Sequence, residues 1–342
     1  MPKNLFLKLK KEFPEIKRNV SLKEFTTFKI GGRAKYFLEI KDREKLISAL
    51  KLAKELKTPF FILGGGSNLL VSDKGFDGLV IKTKNTKYEI KDGLIFCEAG
   101  APLSSLVSMA AKNNLTGLEW AVGIPGTIGG AIYGNAGAFG SSIGEIVKEV
   151  EVLKIKNCKF ELTKLKNKDC QFSYRGSIFK KNPNLIILSA KLKLKKGEKN
   201  KIEEKMKKYL DYRRSTQPLK FPSAGSIFKN FTPHRPALYA KLLKIKKQTR
   251  ILEGGAGAGP ALKVALKEFN KKEIPAAYLI EKCGLKGKRV GSVKISEKHT
   301  NFIINLGNGK ARDVKKLINL TKKKVKEKFG IELKEEIQYP GF

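Results

Sequence analysis

A chain of 342 residues, 41% of them apolar, is long enough to bury a substantial core and has a length suited to two or three domains. Its formal net charge is +39, yet only ten of the 71 basic residues are arginine and the lysines are scattered over nearly every segment, unlike the localised, arginine-rich stripe of a nucleic-acid reader. No run of about 18 apolar residues occurs, which argues against a membrane span, and Cys97, Cys158, Cys170 and Cys283 form no C-x-x-C pair, so they read as reduced thiols of a cytoplasmic protein rather than a zinc or disulfide framework.

The basic N-terminus lacks a long hydrophobic region or a small-residue cleavage site and predicts a short helix. Next the pattern predicts a strand over 36–40, a helix over 42–57 capped by Asp42, a strand over 60–63, a glycine loop and a strand over 79–82. From 86 to about 195 come strands near 94–98, 147–155 and 185–194, a helix near 103–114 and a second glycine-rich run. A charged helix from 199 to about 212 leads to a region punctuated by Pro218, Pro222, Pro233, Pro236 and Pro260. That region closes with a helix over 276–283, strands over 292–295 and 302–306, a long helix over 312–329 and a last strand over 331–339. The expected divisions are 1–85, 86–198, 199–330 and 331–342.

The run G-I-P-G-T-I-G-G-A-I-Y-G-N-A-G-A-F-G, residues 123–140, holds seven glycines in eighteen positions. Glycine removes the side chain and tolerates positive φ, so such a loop can wrap a planar ring system and present N–H groups to it. Ile124, Pro125, Ile128, Ile132 and Phe139 distinguish it from a polar linker. Its candidate binding residues are Gly123, Gly126, Thr127, Gly130, Gly134, Asn135, Ala136 and Gly137. A second loop, Gly64, Gly65, Gly66, Ser67, Asn68 and Leu69, follows the strand over 60–63 directly, where backbone amides could cradle a pyrophosphate. Neither G-x-G-x-x-G nor a Walker sequence is present. One loop suits a diphosphate and the other a flat ring, so the pair suggests a dinucleotide in a groove between two α/β units.

The combination resembles the FAD-binding domain of the vanillyl-alcohol-oxidase (PCMH) type. Within that superfamily the chain is similar to the UDP-N-acetylenolpyruvoylglucosamine reductase family. The resemblance runs in family order through T-T-F-K-I-G-G, I-L-G-G-G-S-N-L-L, L-E-W-A-V-G-I-P-G-T-I-G-G-A-I-Y-G-N-A-G-A-F-G, F-S-Y-R-G-S, Q-P-L-K-F-P-S-A-G-S-I-F-K-N, C-G-L-K-G, K-H-T-N-F-I-I-N and I-E-L-K-E-E-I. It implies an α+β fold, with a two-part FAD-binding domain and a C-terminal α+β substrate-binding domain. It also implies NADPH-dependent reduction of the enolpyruvyl ether of UDP-N-acetylglucosamine to UDP-N-acetylmuramate, a peptidoglycan precursor, through FAD. Neither glycine loop carries a histidine, so the flavin is expected to be non-covalent.

By the same resemblance Arg175 stabilises charge on the substrate carboxylate, which its planar fork suits. Ser226 protonates the enolate carbon, and Glu336 works beside Arg175. Glu335 faces the other way if this segment is a strand, and choosing 336 rests on the resemblance. Tyr174, Lys229 and Asn230 match positions lining the sugar-nucleotide and nicotinamide pocket. Arg213 is the candidate to serve the substrate diphosphate, with Arg214 equally placed by spacing, and His299 is either near the site or structural. Ser226 is not in G-x-S-x-G and only His234 and His299 could serve it as bases, which disfavours a hydrolase. The interval from Arg175 to Ser226 is too short for the extra tyrosine-bearing loop, so the chain resembles the shorter subclass. An insert of about forty residues, roughly 231–274 and containing G-G-A-G-A-G-P, departs from the family and reads as a surface loop, a lid or an oligomer contact. The expected partners are UDP-sugar and NADPH, with no nucleic acid. The alternatives are another FAD-dependent oxidoreductase acting on a hydroxy acid or sugar lactone, and a non-catalytic basic binding protein.

Overall fold

The computed structural model describes residues 4–91, 93–156, 159–232 and 273–342. Its first sheet has four strands in the order Lys17–Ser21, Arg33–Ile40, Phe76–Thr83 and Phe60–Leu63, and the last three are parallel. Parallel pairing requires a crossover, which the helix Arg43–Glu55 supplies. Asp42 caps it, accepting from Lys45 N at 2.7 Å, and Leu46, Ala49, Leu50 and Ala53 form its buried face. The first glycine loop leaves the C-terminal end of Phe60–Leu63, the end of a parallel strand at which α/β folds bind ligands.

The second sheet is antiparallel, in the order Lys159–Lys166, Val147–Lys156, Leu185–Lys193, Leu94–Glu98 and Tyr88–Lys91. Both of its faces are covered. Val150, Val152 and Ala190 pack with the helix Leu103–Lys112, while Leu153, Ile155, Ile186 and Leu188 join Leu38, Leu50 and Ile81 of the first unit. Two sheets sharing a core hold the two glycine segments in one place.

The glycine run is not a continuous loop: residues Ile128–Gly134 form an α-helix. Each glycine inside a helix costs about 1 kcal/mol against alanine, but Ile128, Ala131 and Ile132 are buried, and a Cβ on Gly129 would lie 2.9 Å from Ala99 Cβ. Packing that close outweighs propensity.

A third sheet is ordered Ser223–Ser226, Phe302–Asn305, Val293–Ile295 and Arg289–Val290. The helices Ala276–Lys282 and Ala311–Phe329 share its core, the latter through Val314, Leu317, Ile318, Val325 and Phe329, a stripe of helical period. The C-terminal segment is not the continuous strand expected over 331–339. It makes single bridges, Glu335 to Phe228 and Gln338 to Leu69. The reason is a change of partner: Glu336 N donates to Ile227 O at 2.8 Å, whereas Gln338 N donates to Asn68 O at 3.0 Å. One segment thereby stitches the third sheet to the first glycine loop.

Residues 233–272 lie outside the described residues, and with them the G-G-A-G-A-G-P run and the expectations attached to the insert. Its flanks meet, since Phe231 and Ile274 exchange backbone hydrogen bonds of 2.9 and 2.8 Å. Among the described residues no helix is long and apolar enough to cross a membrane.

Candidate active site

The two glycine segments touch. A Cβ on Gly65 would lie 2.5 Å from Gly126 Cα, one on Gly64 would lie 2.7 Å from Thr127 Oγ1, and Ser67 Oγ donates to Pro125 O at 3.0 Å. Only glycine permits this approach of backbone to backbone. The segments wall a cavity of about 1980 Å³, roughly twice the usual upper size of about 1,000 Å³ for a small-molecule pocket. That is room for a dinucleotide and a second ligand together.

All the residues expected at the cofactor, from Gly64 to Leu69 and from Gly123 to Gly137, line this cavity. Several of their side chains are occupied within the protein. Thr127 Oγ1 caps the helix Ile128–Gly134, and Asn135 accepts from Gly144 N at 3.0 Å and donates to Ser173 O at 2.8 Å. Asn68 Nδ2 donates to Glu336 O at 3.3 Å. Backbone is therefore the surface offered to a ligand, and none of the described residues comes within 4 Å of where a Gly134 Cβ would stand. A wide cavity with bare backbone walls fits FAD.

Arg175 is at the tip of a turn closed by reciprocal 3.0 Å bonds between Ser173 and Gly176. Its φ of 51° is in the left-handed region, which costs a non-glycine residue about 1–2 kcal/mol. The strained tip turns the guanidinium toward Glu336, with Nε 2.9 Å from Oε1. The contact is an ion pair without hydrogen-bond alignment, and among the described residues the buried Nε–H has no acceptor. Tyr174 lies under the guanidinium, 5.6 Å from ring centre to Cζ. Burial pushes its hydroxyl up to about 12, and the oxygen accepts from Asn230 N at 3.2 Å.

Ser226 ends the strand Ser223–Ser226, paired to Phe302. Asn301 fixes the continuation of that strand, accepting from Phe228 N at 2.9 Å and donating to Phe228 O at 2.8 Å. The bond from Glu336 N to Ile227 O then sets Glu336 beside Ser226. Glu335 faces the long helix and pairs with Lys322 at 3.1 Å, the opposite orientation expected of a neighbouring residue.

Tyr174, Arg175, Arg213, Ser226, Asn230 and Glu336 all line the cavity. Lys229 does not appear in the lining: its ammonium donates to Arg175 O at 3.3 Å, and burial, opposed by Glu336, lowers its pKa. Arg213 is 7% exposed, while Arg214 is exposed and paired with Asp211. His299 packs its ring on Phe302 and accepts from Asn301 N at 3.3 Å through Nδ1, and burial pushes its pKa down to about 4, as suits a neutral structural histidine. Sequence reasoning missed Lys180, which lines the cavity and whose pKa is lowered by burial and by Lys229. One lysine among so many carries no signal of its own.

Residues 34–159 match the FAD binding domain family model, and residues 217–340 match that of the UDP-N-acetylenolpyruvoylglucosamine reductase C-terminal domain. The chain is 41% identical to the UDP-N-acetylenolpyruvoylglucosamine reductase of Caldanaerobacter subterraneus subsp. tengcongensis, over 94% of this chain and 93% of that protein. It is 42% identical to the enzyme of that name from Caldicellulosiruptor saccharolyticus, over 96% of this chain and 92% of its relative. The crystal structure of UDP-N-acetylenolpyruvylglucosamine reductase from Thermus caldophilus is similar with a TM-score of 0.71 and 32% identity, covering 95% of this chain and 98% of that one.

Proposed function

The chain belongs to the UDP-N-acetylenolpyruvoylglucosamine reductase family, and from that premise we propose that it reduces the enolpyruvyl ether of UDP-N-acetylglucosamine to UDP-N-acetylmuramate for peptidoglycan synthesis, with NADPH as co-substrate. The two glycine segments would hold FAD non-covalently, and when bound it would supply hydride taken from NADPH. The observation that carries the reading is that Arg175, Ser226 and Glu336, distant in sequence, line the same cavity as both glycine segments.

Hydride delivered to the vinyl CH₂ leaves an electron pair on the ether-bearing carbon, delocalised into the adjacent carboxylate. Arg175 is the cation for that charge, and preorganised donors of this kind act most strongly where water is excluded. Glu336, which lines the same cavity, holds the guanidinium through Nε. Ser226 gives its hydroxyl proton to the ether-bearing carbon, completing the lactyl group, and is reprotonated from solvent. Its high intrinsic pKa makes it a useful acid only as the carbanion forms. Tyr174 and Asn230 line the pocket that substrate and nicotinamide occupy in turn.

Residues 1–85 and 86–198 are the proposed FAD-binding parts, and 199–330 with the segment 331–342 the proposed substrate-binding part. The net charge of +39 favours the approach of two anionic substrates. Both are cytoplasmic metabolites, and the cytoplasm is the proposed compartment.

Anaerobic stopped-flow absorbance on FAD-loaded protein tests the reading. NADPH should bleach the flavin and the UDP-linked enol ether should restore it. Restoration only by other acceptors would transfer the site to a different oxidoreductase, and failure to take up FAD would end the proposal.

A further inference from the structure

Arg213 is a buried cation with an unusual set of partners. It lies near the end of the helix Lys199–Thr216 and is 7% exposed. Its Nε donates to Val122 O at 2.9 Å and its Nη2 to Trp120 O at 3.2 Å. The same guanidinium stands 5.2 Å from the centre of the Phe139 ring. Among the described residues it makes no ion pair. Trp120 and Val122 immediately precede the glycine run, and Phe139 is at its far end. One side chain therefore grips both ends of the segment that walls the cavity.

Neighbouring features make that grip specific. A Cβ on Gly123 would come within 3.2 Å of Arg213 Cδ, so the chain turns tightly around the arginine stem. Phe139 has a left-handed φ of 55°, a costly backbone state for an aromatic residue. It is held there by stacking on Tyr209 of the same helix, with ring centres 3.9 Å apart and planes 8° apart, and by an edge contact to Tyr212. Two parallel donors in a fixed fork can hold two carbonyls two residues apart, whereas a lysine ammonium cannot fix both orientations.

We propose that Arg213 is a positioning residue for the flavin-facing wall, clasping Trp120–Val122 to Phe139 so that the glycine segment keeps the shape that receives FAD, and is not a ligand of the substrate diphosphate. The proposal rests on the reading of the cavity as the FAD site. It differs from a substrate-binding role in which ligand suffers when the residue is changed.

The experiment strips FAD from the protein and from R213K, R213A and F139L, then measures the dissociation constant for FAD by quenching of flavin fluorescence. In the same series the dissociation constant of UDP-N-acetylglucosamine for the FAD-saturated proteins is read by perturbation of the flavin spectrum. R213K keeps the charge and loses the fork, so FAD affinity should fall about tenfold or more, with UDP-sugar affinity within about twofold of the parent. F139L removes the other end of the clasp, leaves the arginine in place, and should weaken FAD in the same direction. FAD affinity unchanged in both R213K and F139L, or UDP-sugar affinity lost with FAD affinity retained, would overturn the proposal. If R213A does not fold, R213K and F139L decide alone. A parent protein that binds no FAD would instead refute the reading of the site itself.

Discussion

Arg175 Nε and Glu336 Oε1 stand 2.9 Å apart, yet among the described residues the Nε–H lacks a hydrogen-bond acceptor. The pair is close enough to fix the guanidinium and too poorly aligned to satisfy it. A buried donor left unmade costs about 1–3 kcal/mol, and a substrate carboxylate is the group that would relieve it. Glu336 is itself held from two sides, by Ile227 O through its N–H and by Asn68 Nδ2 through its carbonyl.

If the two side chains act as a unit, their losses should not add. R175K and E336Q are each expected to lower kcat for enol ether reduction by about 10²–10³. The double variant should cost clearly less than the product of the two, as groups sharing one task do. Flavin reduction by NADPH should stay within about threefold of the parent in all three proteins, because no charge develops on a substrate carboxylate there. Strictly multiplicative losses in single-turnover kinetics would show that the residues act separately.

Ser226→Ala removes the proton source and leaves the cation. The NADPH half-reaction should proceed at the parent rate, while restoration of the flavin by the enol ether slows by about 10²–10⁴. Ser226→Cys keeps a donor at the same place and should recover part of the loss. Equal slowing of both half-reactions would mean that the variant has disturbed flavin placement, and proton delivery would need another owner.

Local signals carried much of the architecture. Phe60–Leu63 and Leu94–Glu98 have the expected bounds, and Asp42 caps the helix it was expected to cap. These are features that a few neighbouring residues determine. The helix Ile128–Gly134 was illegible because its stability comes from Ala99 and the buried face of Ile128 and Ile132, contacts that glycine composition does not reveal. The break in the C-terminal strand was hidden for a similar reason, since alternation says which face a residue takes and not that hydrogen-bond partners change between Glu336 and Gln338. The opposition of Glu335 and Glu336 was legible from that same alternation. Arg213 resembles any other arginine in sequence, and only burial against two carbonyls sets it apart from Arg214.

The glycines of the cavity wall divide into two kinds, and alanine distinguishes them. Gly65→Ala would force a methyl to 2.5 Å from Gly126 Cα. Overpacking of that kind costs about 1–3 kcal/mol, so the apoprotein should melt earlier and bind FAD poorly. Gly134 has open space where its Cβ would go and sits in a helix. Gly134→Ala should hold or raise apoprotein stability, by up to about 1 kcal/mol, while weakening FAD because the methyl enters the cavity. Thermal melts of both apoproteins and titrations with FAD check the contrast. Undiminished FAD affinity in Gly134→Ala would move the ring system away from this helix.

His299 gives the fold a specific acid sensitivity. Its pKa is pushed down to about 4 by burial, from about 6.5 in an unfolded chain. Between those values the unfolded chain binds more protons than the native one, so stability falls as the pH drops through that window and is constant above it. The whole window is worth up to about 3 kcal/mol at about 1.4 kcal/mol per unit. Because His299 Nδ1 accepts from Asn301 N, and the Asn301 side chain clasps Phe228, protonation strains the strand that carries Ser226. The carboxylates held low, Glu119, Glu151, Glu332 and Glu335, lose their contribution only below their ordinary value near 4.5, outside the upper part of this window. Urea unfolding from about pH 7.5 down to about pH 5 should therefore show a loss in the parent that is largely absent in H299Q. A parallel loss in H299Q would assign the sensitivity to other groups.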